Sequence, residues 1–135
     1  MVTYLDAVDG ITETQLHGFF AGWGNPPSSP ALLWILQGSD YVVLAHAEET
    51  GNIIGYITAI SDGVSCAYIP HLEVHSDWRG HGIGSELVRR LLEKLRHLYM
   101  IDLMCDPDVM PFYERLGFQR YSGMLIRHYD RQACL

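Results

Sequence analysis

Leu72-Glu-Val-His-Ser-Asp-Trp-Arg-Gly-His-Gly-Ile-Gly-Ser85 is the stretch on which the fold turns. Its first residues end an apolar, β-prone run from Val64 to His75 that predicts a strand. Its last residues open a segment with Ile83, Leu87, Leu91 and Leu95 at helical spacing, flanked by Val88, Leu92 and Leu98. Between strand and helix stand Gly80, Gly82 and Gly84. Small residues there let backbone N–H groups approach a ligand closely, and a helix start carries partial positive charge. Together these predict a phosphate or pyrophosphate cradle. Two commoner cradles fail on spelling. A Walker loop ends in Gly-Lys-Ser/Thr, and the one lysine of this chain is Lys94. The dinucleotide fingerprint G-x-G-x-x-G breaks at Ser85 and again at Leu87. A glycine turn that merely caps a core helix is the plain alternative.

Upstream, Val2 to Leu5 reads as a short strand. Thr12 and Gln15 have capping-box spacing ahead of Leu16, Phe19, Phe20 and Trp23, which share one helix face, and Gly22 and Gly24 stop that helix. Ser29 as N-cap with Pro30 after it opens a second helix, Ala31 to Gln37. Tyr41 to Ala47, Ile53 to Ile60 and Val64 to His75 predict an antiparallel meander, with a hairpin signal at Asp62-Gly63. Downstream come a buried strand from Met100 to Cys105, a short helix from Asp108 to Leu116 capped by Gly117, and a last strand from about Ser122 to Tyr129. The predicted order is β-α-α-β-β-β-α-β-α-β: an α/β (α+β) architecture with a mixed, mostly antiparallel sheet flanked by helices.

At 135 residues and 48% hydrophobic content, the chain is the size and composition of one globular domain, here 1–135. No apolar run approaches a membrane span, and MVTYLDAVDG lacks the features of a signal peptide. Three scattered cysteines suit a reducing compartment, so a cytoplasmic protein is expected. The charge is uneven. Residues 1–78 hold nine acids and no Lys or Arg, whereas 79–135 hold nine bases and seven acids. That makes nucleic acid a poor partner for the first segment, which would instead attract a cation, while anions are left to the second. Solubility alone would also explain an acidic surface.

The quoted stretch resembles motif A of the GNAT superfamily of acetyl-CoA-dependent N-acetyltransferases, with Arg79, Gly82 and Gly84 at its three defining places. Pro111-Phe-Tyr-Glu-Arg-Leu-Gly-Phe118 resembles motif B, and the element order agrees with the family's. The resemblance implies that the strand before the turn splays from the next one and that the cofactor arm lies between them. Leu72 and Val74 would then bond that arm through backbone groups, and Arg79, Gly80, His81, Gly82, Ile83, Gly84 and Ser85 would hold the pyrophosphate of acetyl-CoA, the co-substrate. It also implies direct attack of a neutral amine on the thioester. That reaction calls for a proton acceptor, a backbone N–H on the carbonyl and an acid for the leaving thiolate.

Tyr113 matches the tyrosine usually given the acid role. The base is less legible. The positions that carry it in some members correspond to Tyr68 and Pro70, and proline cannot serve. Glu73 is the preferred candidate, directly or through water; His71 and His75 are titratable neighbours more at home in structural roles. Alternation places His71 and Glu73 on one strand face, opposite Leu72 and Val74. Asp106 stands where members often carry Asn, seven residues before the tyrosine. It can accept a hydrogen bond from the cofactor arm but lacks the amide donor, and it can equally cap the helix beyond Pro107.

The resemblance puts the acceptor pocket on the first two helices and the middle strands, within the acidic segment. Trp23 and Tyr68 are the pocket candidates; Phe19, Phe20 and Trp34 are expected in the core. The expected acceptor is a small cationic amine. A peptide or protein acceptor and a non-catalytic acyl-CoA-binding module are the competing readings. No metal site is expected, because His71 and His75 sit on a strand, where i, i+4 spacing does not bring two ligands to one ion. Neither nucleic acid nor membrane is expected as a partner. A homodimer is compatible with the chain.

Overall fold

The computed structural model describes residues 1–134. Five strands form one sheet in the order β1-β2-β3-β4-β5. They are β1 (Val2–Leu5), β2 (Tyr41–Ala47), β3 (Ile53–Ser61), β4 (Cys66–Val74) and β5 (Met100–Leu103). The first four are antiparallel neighbours, while β4 and β5 run parallel. Helix α1 (Ser29–Gly38) covers one face; α2 (Ile83–Lys94) and the short α3 (Met110–Glu114) belong to the other. The mixed, mostly antiparallel architecture expected from the sequence is the one observed.

Each face has its own core. On one, Ile83, Leu87, Val88 and Leu91 of α2 pack on Val43, Ala45, Ile57 and Ile69 of the sheet, and Tyr113 joins them. On the other, Leu32 and Leu36 of α1, with Leu16 and Phe20, pack on Val42, Leu44 and Tyr56. The stripe Ile83, Leu87, Leu91 and Leu95 is fully buried, as its spacing predicts.

The decisive irregularity lies in β4. Thr58 pairs with His71 and Ile60 with Tyr68, so Ala59 alone faces both Ile69 and Pro70. This bulge reverses the alternation of side chains. Ala67 and Ile69 point to the α2 face, and beyond the bulge so do Leu72 and Val74. Unbroken alternation would have sent His71 and Glu73 into the α2 core. Pro70, which has no N–H to donate, occupies the one stretch where the ladder needs none. The ladder to β5 also ends here, at Ile69 with Leu103, leaving residues 70–74 of β4 without a β5 partner.

Four sequence expectations are corrected. The helix expected over Leu16–Trp23 is only a 3-10 turn, Glu13–Gln15. Gln15 Oε1 does accept the Thr12 N–H at 2.9 Å, but the coil does not propagate. Gly18 has φ +83°, and Phe20 is left-handed at +63°. Tertiary contacts described below hold both and override helical spacing. The N-cap of α1 is Ser28 rather than Ser29: its Oγ accepts the Ala31 N–H at 3.3 Å. Trp34 is 63% exposed rather than core, because it lies on the outer side of α1. Finally, residues 122–129 form no strand; the chain runs past β5 without pairing to it. By contrast, the cap at Gly117 forms as expected, with Phe118 N–H donating to Tyr113 C=O at 3.1 Å.

Candidate active site

Past the last β4–β5 pair, β4 ends at Val74, and the 3-10 turn Ser76–Trp78 leads into the glycine turn and the start of α2. Gly82 is the N-cap residue of α2, with φ +78° and no side-chain cap. The first helical bond is Glu86 N–H to Gly82 C=O at 3.1 Å. The N–H groups ahead of it therefore face outward, as at every helix start. Above Gly82 an added Cβ would meet nothing within 4 Å. Open space, free donors and the positive end of a helix of about three turns, apolar on one face, fit a pyrophosphate. Arg79 is exposed beside them, its Nε donating to Val74 C=O at 3.2 Å, which leaves the terminal nitrogens of the guanidinium free for an anion.

Glu73 projects to the opposite face of β4 and is half-buried. Its Oε2 accepts the Phe20 N–H at 2.7 Å, and its Oε1 accepts the Tyr56 hydroxyl at 3.3 Å. Burial raises its pKa, against the opposing effect of these hydrogen bonds and of Arg79. Tyr56, opposite Glu73 in the ladder, is held above its usual range by burial and then by the carboxylate. His75 packs edge-on to Phe19, with ring centroids 5.9 Å apart, and its Nδ1 accepts the Asp77 N–H at 3.2 Å. Gly18 lies under the same ring, where a Cβ would sit 2.3 Å from Nε2. Glu73 and His75 thus dock the whole Gly18–Trp23 segment, which is why it is not helical. Trp23 is carried on that segment, 42% exposed and packed at a tilt on Phe20, with ring centroids 4.8 Å apart.

His71 lies on the same face as Glu73, and burial lowers its pKa, so it is a neutral imidazole at pH 7. Its ladder partner Thr58 is fully buried, with a hydroxyl that has no hydrogen-bond partner among the described residues. Tyr68 is 38% exposed on β4, beside Asp102 of β5.

Tyr113 is packed edge-on between Phe112, at 4.9 Å, and Phe118, at 5.5 Å. Burial, with a smaller contribution from Cys105, pushes its pKa up to about 12. It and Tyr68 line one cavity of about 570 Å³ that follows the outer edge of β5. Asp106 is exposed; its backbone takes the N-cap place of the turn Pro107–Val109, but its carboxylate makes no capping bond.

The geometry therefore groups Leu72, Val74, Arg79 and residues 80–85 on one rim, and Glu73, Phe20 and Trp23 on the other face. Tyr68 and Tyr113 meet at the cavity. Sequence reasoning missed Tyr56 and Thr58. Only the ladder register puts them opposite Glu73 and His71, and that register passes through an unforeseen bulge.

The sequence profile of the "Acetyltransferase (GNAT) family" matches residues 8–118. This chain belongs to that family. Among its GNAT relatives, "GCN5-related N-acetyltransferase 1, chloroplastic" of Arabidopsis thaliana is 31% identical over 113 residues, 82% of this chain and 57% of that protein. An uncharacterized N-acetyltransferase of Pyropia yezoensis is 29% identical over 100 residues, 72% of this chain and 58% of that protein. The chain thus spans somewhat over half the length of these relatives. A crystal structure from Deinococcus radiodurans R1, titled as a candidate acetyltransferase, superposes with TM-score 0.94 at 49% identity, covering 98% of this chain and 92% of that one. Within the GNAT fold, the place where β4 and β5 part and the glycine turn that follows are where the sequence resemblance set the cofactor arm and pyrophosphate.

Proposed function

We propose that the protein is an acetyl-CoA-dependent N-acetyltransferase acting on a small cationic amine. The observation that carries this reading is the run of β4 beyond Ile69 without a β5 partner, followed through the 3-10 turn Ser76–Trp78 by the glycine turn and the uncapped start of α2. Backbone groups of Leu72 and Val74 would bind the pantetheine arm, Arg79 and the N–H groups of residues 80–85 the pyrophosphate, and Asp106 would accept a bond from the arm. Acetyl-CoA supplies a thioester whose carbonyl takes the amine lone pair and whose C–S bond then breaks.

Glu73 takes the amine proton, directly or through one water. Its raised pKa strengthens it as a base, while the Phe20 N–H, Tyr56 and Arg79 favour its carboxylate form. Tyr113 would serve the departing sulfur. A phenol at about 12 cannot give its proton away cheaply to a thiolate of ordinary pKa near ~8.5, so it acts mainly by donating a hydrogen bond to the developing charge. Trp23 and Tyr68 line the acceptor side, and the acidic first segment favours a cation there. The three cysteines are all free, consistent with a reducing compartment such as the cytoplasm.

The test is to incubate the protein with acetyl-CoA and separate pools of polyamines, arylalkylamines, amino acids and peptides, reading CoA and product by chromatography and mass. Product from the polyamine or arylalkylamine pool is expected. Product from peptides alone would overturn the acceptor class, and acetyl-CoA binding without any product would favour a binding module. In the same assay Glu73→Gln should lower the rate and move the pH–rate curve to alkaline pH, since the amine must then arrive neutral. Gln retains one oxygen for the Phe20 N–H, so the docked segment survives. An unmoved curve would clear Glu73, and His71→Gln would be the next variant, since His71 is neutral on the same face.

A further inference from the structure

Tyr56 stands in the middle of β3 and is 1% exposed, among the largest side chains that the fold buries completely. A buried phenol needs a partner for its hydroxyl. Among the described residues it has one, Glu73 Oε1, to which it donates at 3.3 Å. The ring is not free to seek another. It is packed in the core with Leu32 and Leu36 of α1, and Phe19 meets it edge-on with ring centroids 5.1 Å apart. Glu73, by contrast, is a flexible side chain near the end of β4 and only half-buried. A rigid donor and a flexible acceptor mean that Tyr56 places Glu73, not the reverse.

A second donor reaches the same carboxylate. The Phe20 N–H bonds Oε2 at 2.7 Å, and Phe20 is itself buried. One donor on each oxygen fixes the plane of the group, which a single bond would leave free to turn. A carboxylate offers roughly four acceptor sites, so two bonds leave lone pairs for a further proton. Both donors come from buried residues, and the remaining sites are left to the exposed side of Glu73. The other ionisable groups around it are few. His71 and His75 share its strand face, Arg79 acts on it from the turn beyond, and Asp77 is turned to His75. Helix α1 and residues 18–23 carry no ionisable side chain.

We propose that Tyr56 is a positioning residue for acetyl transfer, holding the Glu73 carboxylate in the orientation that meets the acceptor amine. The inference rests on the reading of Glu73 as the base. In that step the amine N–H bond breaks and an O–H bond forms on Glu73, while the Tyr56 O–H bond stays intact. Burial and the carboxylate hold the phenol above its usual range, so it remains a donor at every working pH. Its bond to the charged carboxylate is stronger than a bond to the neutral acid, so it favours the form that can accept a proton.

Tyr56→Phe keeps the ring contacts and removes the hydroxyl, so the fold and the acetyl-CoA affinity should be unchanged. With the carboxyl carbons of glutamate labelled, NMR follows the titration of Glu73 in the wild type and in the variant. A donor to the charged form lowers a carboxyl pKa, so losing it should raise the Glu73 midpoint by roughly half to one pH unit. The acid limb of kcat/KM should move to alkaline pH by the same amount. It is measured with acetyl-CoA saturating and spermidine as acceptor, or phenethylamine should the polyamine pool be silent. At the plateau kcat should fall roughly threefold to tenfold, the mark of lost orientation. A residue that only fills the core would move neither the titration nor the limb. In a Glu73→Gln background, adding Tyr56→Phe should change nothing further. An unmoved Glu73 titration, or a limb that stays while the titration moves, would overturn the proposal. If Glu73→Gln itself leaves the limb in place, it is the base reading that fails, even where Tyr56→Phe shifts the titration.

Discussion

Tyr113 and Glu73 show how one strand turn and one short helix set the chemistry of single side chains. Tyr113 sits on a five-residue helix, and its ring is fixed by Phe112 and Phe118 while its pKa rises with burial. Tyr113→Phe keeps the ring contacts and removes only the hydroxyl. Turnover should fall roughly 100-fold or more, the scale of losing one hydrogen-bond donor to the developing charge, with acetyl-CoA affinity little changed. Steady-state kinetics with separate KM and kcat checks this, and an unchanged kcat would remove Tyr113 from the reaction. Glu73 is more entangled, since the carboxylate that would take a proton also holds Phe20 at φ +63°. A left-handed non-glycine residue persists only where its surroundings hold it. That explains why Glu73 is legible as a polar strand residue while its docking of Phe20 is not: the partner lies 53 residues away.

At the level of elements, what local spacing controls was readable and what distant partners control was not. The stripe on α2, the glycine turn, the meander and the Gly117 cap each rest on neighbours within a few residues. The Leu16–Trp23 helix failed because Glu73 of β4 holds the Phe20 N–H and the His75 ring packs against Gly18 and Phe19. The final strand failed because a strand exists only with a partner, and the chain runs past the free edge of β5 without pairing to it. The β4 bulge left no signal beyond Pro70, yet it decides which face His71 and Glu73 share. The glycine turn itself yields a sharp comparison. Gly82 has φ +78°, so Gly82→Ala should destabilise by about 1–2 kcal/mol, the cost of a left-handed L-residue, and weaken acetyl-CoA binding. Gly84 is helical, and an added Cβ would meet Phe112 at 3.5 Å and Val74 at 3.7 Å, ordinary contacts. Gly84→Ala should therefore be neutral or add up to about 1 kcal/mol through helix propensity. Denaturant titration of both variants checks this. Equal losses would mean that space, not backbone conformation, selects glycine at both positions.

Over the whole molecule the two functions of the site fall on two differently charged parts of one chain. The turn and α2 begin where the first base appears, at Arg79, and everything before it carries nine acids without a Lys or Arg. Glu73, Trp23 and Tyr68 belong to that acidic part, which supplies most of the sheet and the whole of α1. Such a field raises the local concentration of cations and is screened over about 10 Å at 0.1 M salt. With acetyl-CoA saturating, kcat/KM for a polyamine should fall steeply as salt rises, while a zwitterionic amino acid should respond weakly. The same protein and the same chemistry are used in both arms, so any difference reports on the acceptor's charge alone. If both curves are flat, the acidity of residues 1–78 serves solubility, and the acceptor is chosen by the shape around Trp23 and Tyr68 instead. If both fall together, salt is acting on a step common to all acceptors, and the charge of the amine has no part in its selection.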